Sequence, residues 1–314
     1  MESDVVSGSF NGILAGSEQF LCFILGKLRK AAEFLLFTSA YIGIMAVAMT
    51  YTSSSLQNLP WNPSAAIILS FVVFSVYNLN RKTDAAEDAL NHAGRFRFTS
   101  RFGRPLFLSA LAAYGGALIL AAAAGPASAL LAAVPLLAGI IYSVPLLSGF
   151  CRYQRVKEIP VMKNIVVSGS WAIAFSFLPA FLAGTFPDVH SLVVFALIFE
   201  YVFIASVLPD IRDREGDAAT HVYTIPVLIG VEKTRLFLTA FNLVVAAFLL
   251  TIGSLCLPPT AWVILLISFI YSQFCILSVG QTRFDNFLID VISDGEFLFI
   301  GILFCILNTG FPAL

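Results

Sequence analysis

Residues 190–217 read HSLVVFALIFEYVFIASVLPDIRDREGD. The first twenty, 190–209, are mostly apolar and carry a single carboxyl group, Glu200. They are apolar all round and do not alternate, which marks a helix and not a barrel strand of about ten residues. A twenty-residue helix covers about 30 Å, the thickness of a bilayer's hydrocarbon. At its end the chemistry changes abruptly. Asp210, Asp213 and Asp217 follow at spacings of three and four, which puts them on one face if the helix continues. Pro209 marks a kink or the start of a polar turn, and Gly216 loosens the helix near Asp217.

The rest of the chain repeats the first half of that pattern. Of its 314 residues 59 % are apolar and 12 % charged, with a mean hydropathy of +0.89. Typical soluble domains have roughly 25 % charged residues. A chain this poor in charge lacks the polar surface a soluble fold needs. Spans are expected near 33–52, 63–80, 105–124, 127–147, 160–183, 190–209, 233–254, 260–280 and 295–311. Short turns at Ala124-Gly125-Pro126, at 184–187 and at 257–259 alternate with long polar connections at 81–104, 148–159, 210–232 and 281–294.

The 18 basic residues test that count. All of them fall in the amino-terminal segment, in an even-to-odd connection, or within about a turn of one. Nine spans therefore collect the positive charge on one side, which the positive-inside rule makes cytoplasmic. The expectation is an all-α polytopic membrane protein: nine transmembrane helices around a central cavity, amino terminus cytoplasmic. Residues 1–30 form a cytoplasmic segment and 31–314 a single membrane domain. Small residues within the runs, as at 108–117 and 121–124, suit close helix packing.

The second span ends in a counterpart to the 210–217 cluster. Asn80, Asp84 and Asp88 stand four apart, so a continuing helix stacks them on one face. Both clusters end even spans and lie on the basic side. Facing carboxylates repel unless a cation lies between them. Hard oxygen donors suit Mg²⁺, which commonly bridges carboxylates to phosphates. Arginines and lysines in the same connections match the remaining phosphate oxygens. Together these residues describe a diphosphate site, open to an apolar bundle that holds the tail.

Other features carry less chemistry. A net charge of −1 gives no cationic field, so no nucleic-acid partner is expected. The five cysteines and three histidines lack metal or redox spacing, and the first twenty residues lack a cleavable signal pattern. Glu200, about 15 Å deeper than Asp210 on a straight helix, faces a cavity or a partner. It is either a structural hydrogen-bonding group or a catalytic one. The acidic stretch Asp285, Asp290, Asp294 and Glu296 extends the polar cap, binds an acceptor, or is a solvated connection.

The paired motifs Asn80-xxx-Asp84-xxx-Asp88 and Asp210-xx-Asp213-xxx-Asp217, with Thr224-Ile-Pro-Val-Leu-Ile-Gly230 after the second, resemble the UbiA superfamily of intramembrane prenyltransferases. The likeness covers roughly residues 30–310. It implies a helical bundle whose aspartates hold Mg²⁺ on a prenyl diphosphate. Metal and basic groups then assist loss of diphosphate, and the allylic cation alkylates a lipid or aromatic acceptor. By match of motif, Asn80, Asp84, Asp88, Asp210, Asp213 and Asp217 are the metal set. Arg95, Tyr142, Arg155, Lys157 and Lys163 take places like those of the family's diphosphate-binding residues, beside Asn80. Two departures stand out: Asn80-Arg81, preceded by Asn78, replaces the usual Asn-Asp opening, and 92–98 replaces a proline-rich stretch. Neither departure selects a quinone- or haem-type acceptor. The alternatives are a terpene cyclase of the same superfamily, which needs no acceptor, and a membrane transporter.

Overall fold

In lipid no water pairs a backbone N–H or C=O, so each apolar run must satisfy its own hydrogen bonds as a helix. The computed structural model describes residues 23–83, 93–145, 155–219, 222–280 and 285–310, and among these there is no strand. The helices are α1 (Phe23–Phe37), α2 (Ala40–Leu56), α3 (Pro63–Thr83), α4 (Ala93–Ala124) and α5 (Pro126–Ser143). After a 3₁₀ turn at Val156–Glu158 come α6 (Met162–Leu182), α7 (Val189–Ala219), α8 (Val231–Cys256), α9 (Pro259–Ser278) and α10 (Glu296–Gly310). A five-residue helix, Ile225–Ile229, precedes α8, and a π turn, Leu288–Ser293, precedes α10.

Each expected span holds a helix, but the helices are not equal. Six of them (α3, α4, α6, α7, α8 and α9) are long and apolar enough to cross a membrane. The pair α1 and α2 makes a seventh if it is one span. The apolar part of α5, Pro126–Tyr142, is shorter, and the 15 residues of α10 cover only about 22 Å. The protein is thus a multi-pass integral membrane protein with six to seven spans by length and composition.

Three boundaries differ from the sequence expectation, each for a local reason. The expected first span, 33–52, straddles a 71° bend between α1 and α2. Ser39 takes the left-handed conformation at φ 61°, and the Thr38 hydroxyl donates back to the Phe34 carbonyl at 2.7 Å. The carbonyls freed at this break are taken up by α3. Asn78 Nδ2 donates to Thr38 O at 3.0 Å, and the Arg81 guanidinium donates to Leu36 O at 3.2 Å and to Phe37 O. Asn78 and Arg81, the two residues that depart from the family's opening motif, thereby secure the bend.

The second difference is α4, which begins at Ala93 and not near 105. Its extra turns carry Arg95, Arg97, Arg101 and Arg104. Phe98 holds them against α1, with ring centroids 6.2 Å from Phe34 and 5.7 Å from Phe37, and it packs on Phe102 one turn on. The third is α7, which runs through Pro209 and Gly216 to Ala219 without a break.

From α2 onward every helix packs on the next, and α10 packs back on α2, which closes a ring. Serine hydroxyls and amides bind the ring together where the hydrophobic effect cannot. Ser53 Oγ donates to Phe175 O at 2.6 Å, Ser70 Oγ to Gly43 O at 2.8 Å, and Ser75 Oγ to Ala110 O at 2.8 Å. Asn242 bridges α8 to α9 through Phe269 O and Gln273 Oε1. The most apolar windows of α4 and α8 are only 22 % buried and present the large apolar surface that lipid covers.

Candidate active site

Because α7 continues past its apolar part, its acidic face is presented at the end of the ring. Asp210 is nearly closed off, with 4 % of its side chain exposed. Lys163, at the start of α6, donates to Asp210 Oδ1 at 2.7 Å, and Asn164 Nδ2 reaches Oδ2 at 3.5 Å. Asn164 also donates to Ser206 Oγ at 2.9 Å, and Ser206 donates to Phe203 O. Ser206 lies one helical turn below Asp210, where it forms part of an apolar cavity wall. One chain of contacts thus runs from the polar rim into the bundle.

The other two aspartates of the cluster are held differently. Asp213 receives both Nε and Nη2 of the adjacent Arg212, at 2.8 and 3.1 Å. Arg212 also reaches Asn286 Oδ1 at 3.1 Å and Asp290 Oδ1 at 3.3 Å. Asp217 lies within electrostatic reach of Asp210, Asp213 and Lys163. The face expected from the 3 and 4 spacing therefore forms, with Lys163 among its carboxylates.

Of the remaining candidates, Asn80 lies against α5, where a Cβ on Gly139 would come within 3.6 Å of its Oδ1. Tyr142, also on α5, is buried within electrostatic reach of Lys163 and Tyr77. Arg95 is within reach of Asp294. Arg155 is engaged locally, its Nε donating to Glu158 Oε1 at 2.9 Å. Asp84 and Asp88 lie outside the described residues, as does the side chain of Lys157.

Beneath this rim is a cavity of about 90 Å³ between α2, α3, α6, α7 and α10. Its wall is mostly apolar and aromatic, including Met45, Met49, Trp171, Phe175 and Phe297. The polar groups on it are few: Tyr77, Tyr201, Ser206 and Asp294, beside the Trp171 indole. Glu200, expected as a catalytic candidate, is not part of the cavity wall. It is fully buried, neither carboxyl oxygen has a hydrogen-bond partner among the described residues, and it lies within electrostatic reach of Glu296. Glu296 itself accepts from Ser268 Oγ at 2.5 Å and Ser272 Oγ at 3.0 Å.

The described end of the acidic stretch, 288–294, packs against the bundle and reaches the cavity wall at Asp294. Three tyrosines from three helices hold its π turn. Tyr41 donates to Val291 O at 2.8 Å, Tyr271 to Ile292 O at 2.9 Å, and Tyr201 to both Ser293 O and Asp294 O at 3.2 Å. Asp294 follows at the cavity's polar end. Burial, with the nearby charge of Asp290, pushes its carboxyl up to about 8, against the pull of Arg212 and Arg95. The only sequence signal for this was that the loop shares a side with both aspartate motifs.

Among the described residues no three His, Cys, Asp or Glu side chains form a metal cage by themselves. The donor set still fits Mg²⁺ in kind. Asp210, Asp213 and Asp217 offer hard oxygens on one helix face. Magnesium ordinarily keeps waters and binds through one or two carboxylates plus substrate phosphates.

A model of the UbiA prenyltransferase family matches residues 36–283. The chain belongs to this family. This UbiA-family chain is 37 % identical over 100 residues to the digeranylgeranylglyceryl phosphate synthase of Methanoculleus marisnigri. That match covers 32 % of the chain and only 36 % of the relative's length. Solved structures extend the likeness of fold over nearly the whole ring. A UbiA homologue of Archaeoglobus fulgidus, bound to DMAPP and Mg²⁺, superposes with a TM-score of 0.63 at 16 % identity, covering 86 % of this chain and 98 % of that one. The apo UbiA homologue of Aeropyrum pernix K1 gives 0.60 at 16 % identity, over 83 % and 94 %.

Proposed function

We propose that this UbiA-family protein transfers a prenyl group from a prenyl diphosphate to a lipid or aromatic acceptor within the membrane, with Mg²⁺ and release of diphosphate. The observation that carries the reading is the contact chain Lys163–Asp210–Asn164–Ser206. It joins a charged rim to an apolar, aromatic cavity, as an amphiphile with a diphosphate head requires. The A. fulgidus homologue bound to GPP and Mg²⁺ supports the donor class, and the M. marisnigri synthase supports a lipid acceptor.

Asn80, Asp84, Asp88, Asp210, Asp213 and Asp217 would hold Mg²⁺ together with the diphosphate. The metal would supply Lewis acidity that neutralises the departing diphosphate. Lys163, held by Asp210, presents its ammonium at the rim, and Arg95, Arg155, Lys157 and Tyr142 complete the diphosphate-binding set. The C1–O bond breaks with its electron pair on the diphosphate, and the acceptor's nucleophile bonds to C1. The faces of Trp171, Tyr77 and Phe297 attract the allylic cation and keep water from it. The same reading keeps nine spans, a cytoplasmic amino terminus and a cytoplasmic cap, with residues 1–30 preceding the membrane domain 31–314. The membrane itself is the lipid partner.

The test is product analysis with purified protein, Mg²⁺ and a panel of C10–C20 and longer prenyl diphosphates, with and without a membrane-lipid extract. Acceptor-dependent prenylated product, lost on chelation and regained with Mg²⁺, is the expected result. A cyclic product formed without acceptor overturns the reading in favour of a cyclase. Uptake into vesicles without diphosphate release overturns it in favour of a transporter.

A further inference from the structure

Alkylation of a hydroxyl is incomplete until the oxygen loses its proton, and Asp210 and Asp213 already hold cations. Asp210 is committed to Lys163, and Asp213 to Arg212. Ser206 already donates to Phe203 O. The remaining carboxyl on the cavity wall is Asp294, across from this network on the segment leading into α10.

We propose that Asp294 is the catalytic base on the acceptor side, receiving the proton of an acceptor hydroxyl as its oxygen bonds to C1 of the prenyl group. The proposal rests on the transferase reading above and deepens it by assigning the residue that deprotonates a hydroxyl acceptor. In the balanced step the allylic C1–O bond breaks and its electron pair leaves on diphosphate. The acceptor O–C1 bond forms, and the O–H proton passes to a carboxylate oxygen of Asp294.

Three observations place Asp294 for this. Burial and the charges of Asp290, Arg212 and Arg95 act on the carboxyl, and among the described residues no side chain donates a hydrogen bond to it. The oxygens are therefore left for a ligand. The position is fixed, because Tyr41, Tyr201 and Tyr271 together pin the carbonyls of Val291 through Asp294. π turns inside helical structure recur at functional sites because they re-aim side chains. Gly295 completes the arrangement: a Cβ there would collide with the Val291 carbonyl and with the Tyr41 hydroxyl. Asp294 is thus held open to the cavity by a built frame, with Tyr77 and Trp171 on the facing walls.

The charged and titratable groups around it come from every neighbouring element. They are Asp290 on its own segment, Arg212 and Tyr201 on α7, Arg95 on α4, Tyr41 on α2, Tyr77 on α3 and Cys275 on α9. A base ideally titrates near working pH, and transfer should rise as pH approaches about 8, where Asp294 ionises.

The experiment uses the full-length protein in detergent or liposomes with Mg²⁺, geranylgeranyl diphosphate and geranylgeranylglyceryl phosphate as the alcohol probe. A parallel arm uses 4-hydroxybenzoate. Asp294→Asn should lower acceptor-dependent kcat by about 10²-fold, the scale of general-base catalysis. It should also flatten the rise of kcat with pH, while binding of geranylgeranyl diphosphate reports folding. Asp294→Glu should recover part of the rate and the pH limb. If Asp294→Asn does not fold, the pH profile of Asp294→Glu decides: a displaced limb supports the proposal and an unmoved one overturns it. Wild-type kcat, acceptor KM and pH profile in Asp294→Asn would also overturn it, as would ring-carbon prenylation of 4-hydroxybenzoate alone. No transfer by the wild-type protein to either acceptor would instead sink the underlying transferase reading.

Discussion

Asp210 and Glu200 stand on the same helix, about 15 Å apart along its axis, and both are closed off from solvent. Their surroundings are opposite. Asp210, at the rim, has a lysine at 2.7 Å and an amide beyond it. Glu200, at mid-depth, has no hydrogen-bond partner among the described residues and another acid as its electrostatic neighbour. Burial alone therefore says nothing about which carboxyl works on a charged substrate. The partner and the place do: a cation beside a carboxylate at the cavity mouth suits the handling of phosphate charge, and a partnerless acid away from the cavity wall does not.

The strongest way to break this comparison is to remove the rim charge. Asp210→Asn should reduce diphosphate release by about 10²–10³-fold, the scale of losing a preorganised charged group. It should also destabilise the protein, by about 1–2 kcal/mol. A fully buried broken pair costs about 3–5 kcal/mol, but Lys163 is 31 % exposed, and water softens the loss. Thermal unfolding in detergent separates the two effects. Adding Lys163→Met to Asp210→Asn should restore stability and leave turnover low. If turnover returned as well, the pair would be merely structural.

A smaller effect is expected at Asp213, whose partner Arg212 is its own neighbour in sequence and also holds Asp290 and Asn286. Asp213→Asn leaves Arg212 those other partners, so abundance should stay near wild type. Diphosphate release should fall by about tenfold or more as one oxygen of the proposed metal set becomes an amide. Asp84→Asn, in the other motif, should behave alike. Initial rates at saturating Mg²⁺, normalised to folded protein, check both, and near-normal turnover in the pair would count heavily against a two-motif metal site.

The amino-terminal bend should be affected more weakly still. Asn78→Ala removes a hydrogen bond to Thr38 O and one to Phe74 O, and should cost about 1–2 kcal/mol. The loss should appear in the melting temperature, with acceptor KM and the pH profile unchanged. A large change in KM would mean that the bend belongs to the active site.

How far the sequence revealed all this depended on the range of the interaction. Apolar length and period made the chain all-helical, and the positions of the basic residues gathered the polar ends. The 3 and 4 spacing of Asp210, Asp213 and Asp217 gave a single face that the helix does present. What escaped was long-range. Nothing local shows that Phe98 would hold α4 helical back to Ala93, or that Asn78 and Arg81 would secure a bend some forty residues earlier. Nor could a pattern reading tell that Tyr41, Tyr201 and Tyr271 would meet at residues 291–294 and set Asp294 at the cavity. Glu200 was conspicuous in the sequence for its depth, but depth does not tell which way a helix turns a side chain.

That last point sets the smallest expected effect and the most informative one. Glu200→Gln keeps the shape of the side chain and removes the need for a counter-ion, which the site does not supply. Because Glu200 stands outside the cavity wall, turnover and product pattern should stay within about threefold of wild type, equivalent to less than 1 kcal/mol in the barrier. Stability should be equal or slightly higher, since the amide can donate toward Glu296. Side-by-side product analysis and thermal unfolding check both statements. A collapse of turnover in Glu200→Gln with the fold intact would mean that the acid communicates with the cavity through Tyr201, its neighbour in sequence, whose hydroxyl holds the Asp294 backbone. The contrast between a working carboxyl at the rim and an idle one behind the wall would then give way to a single acidic path along α7.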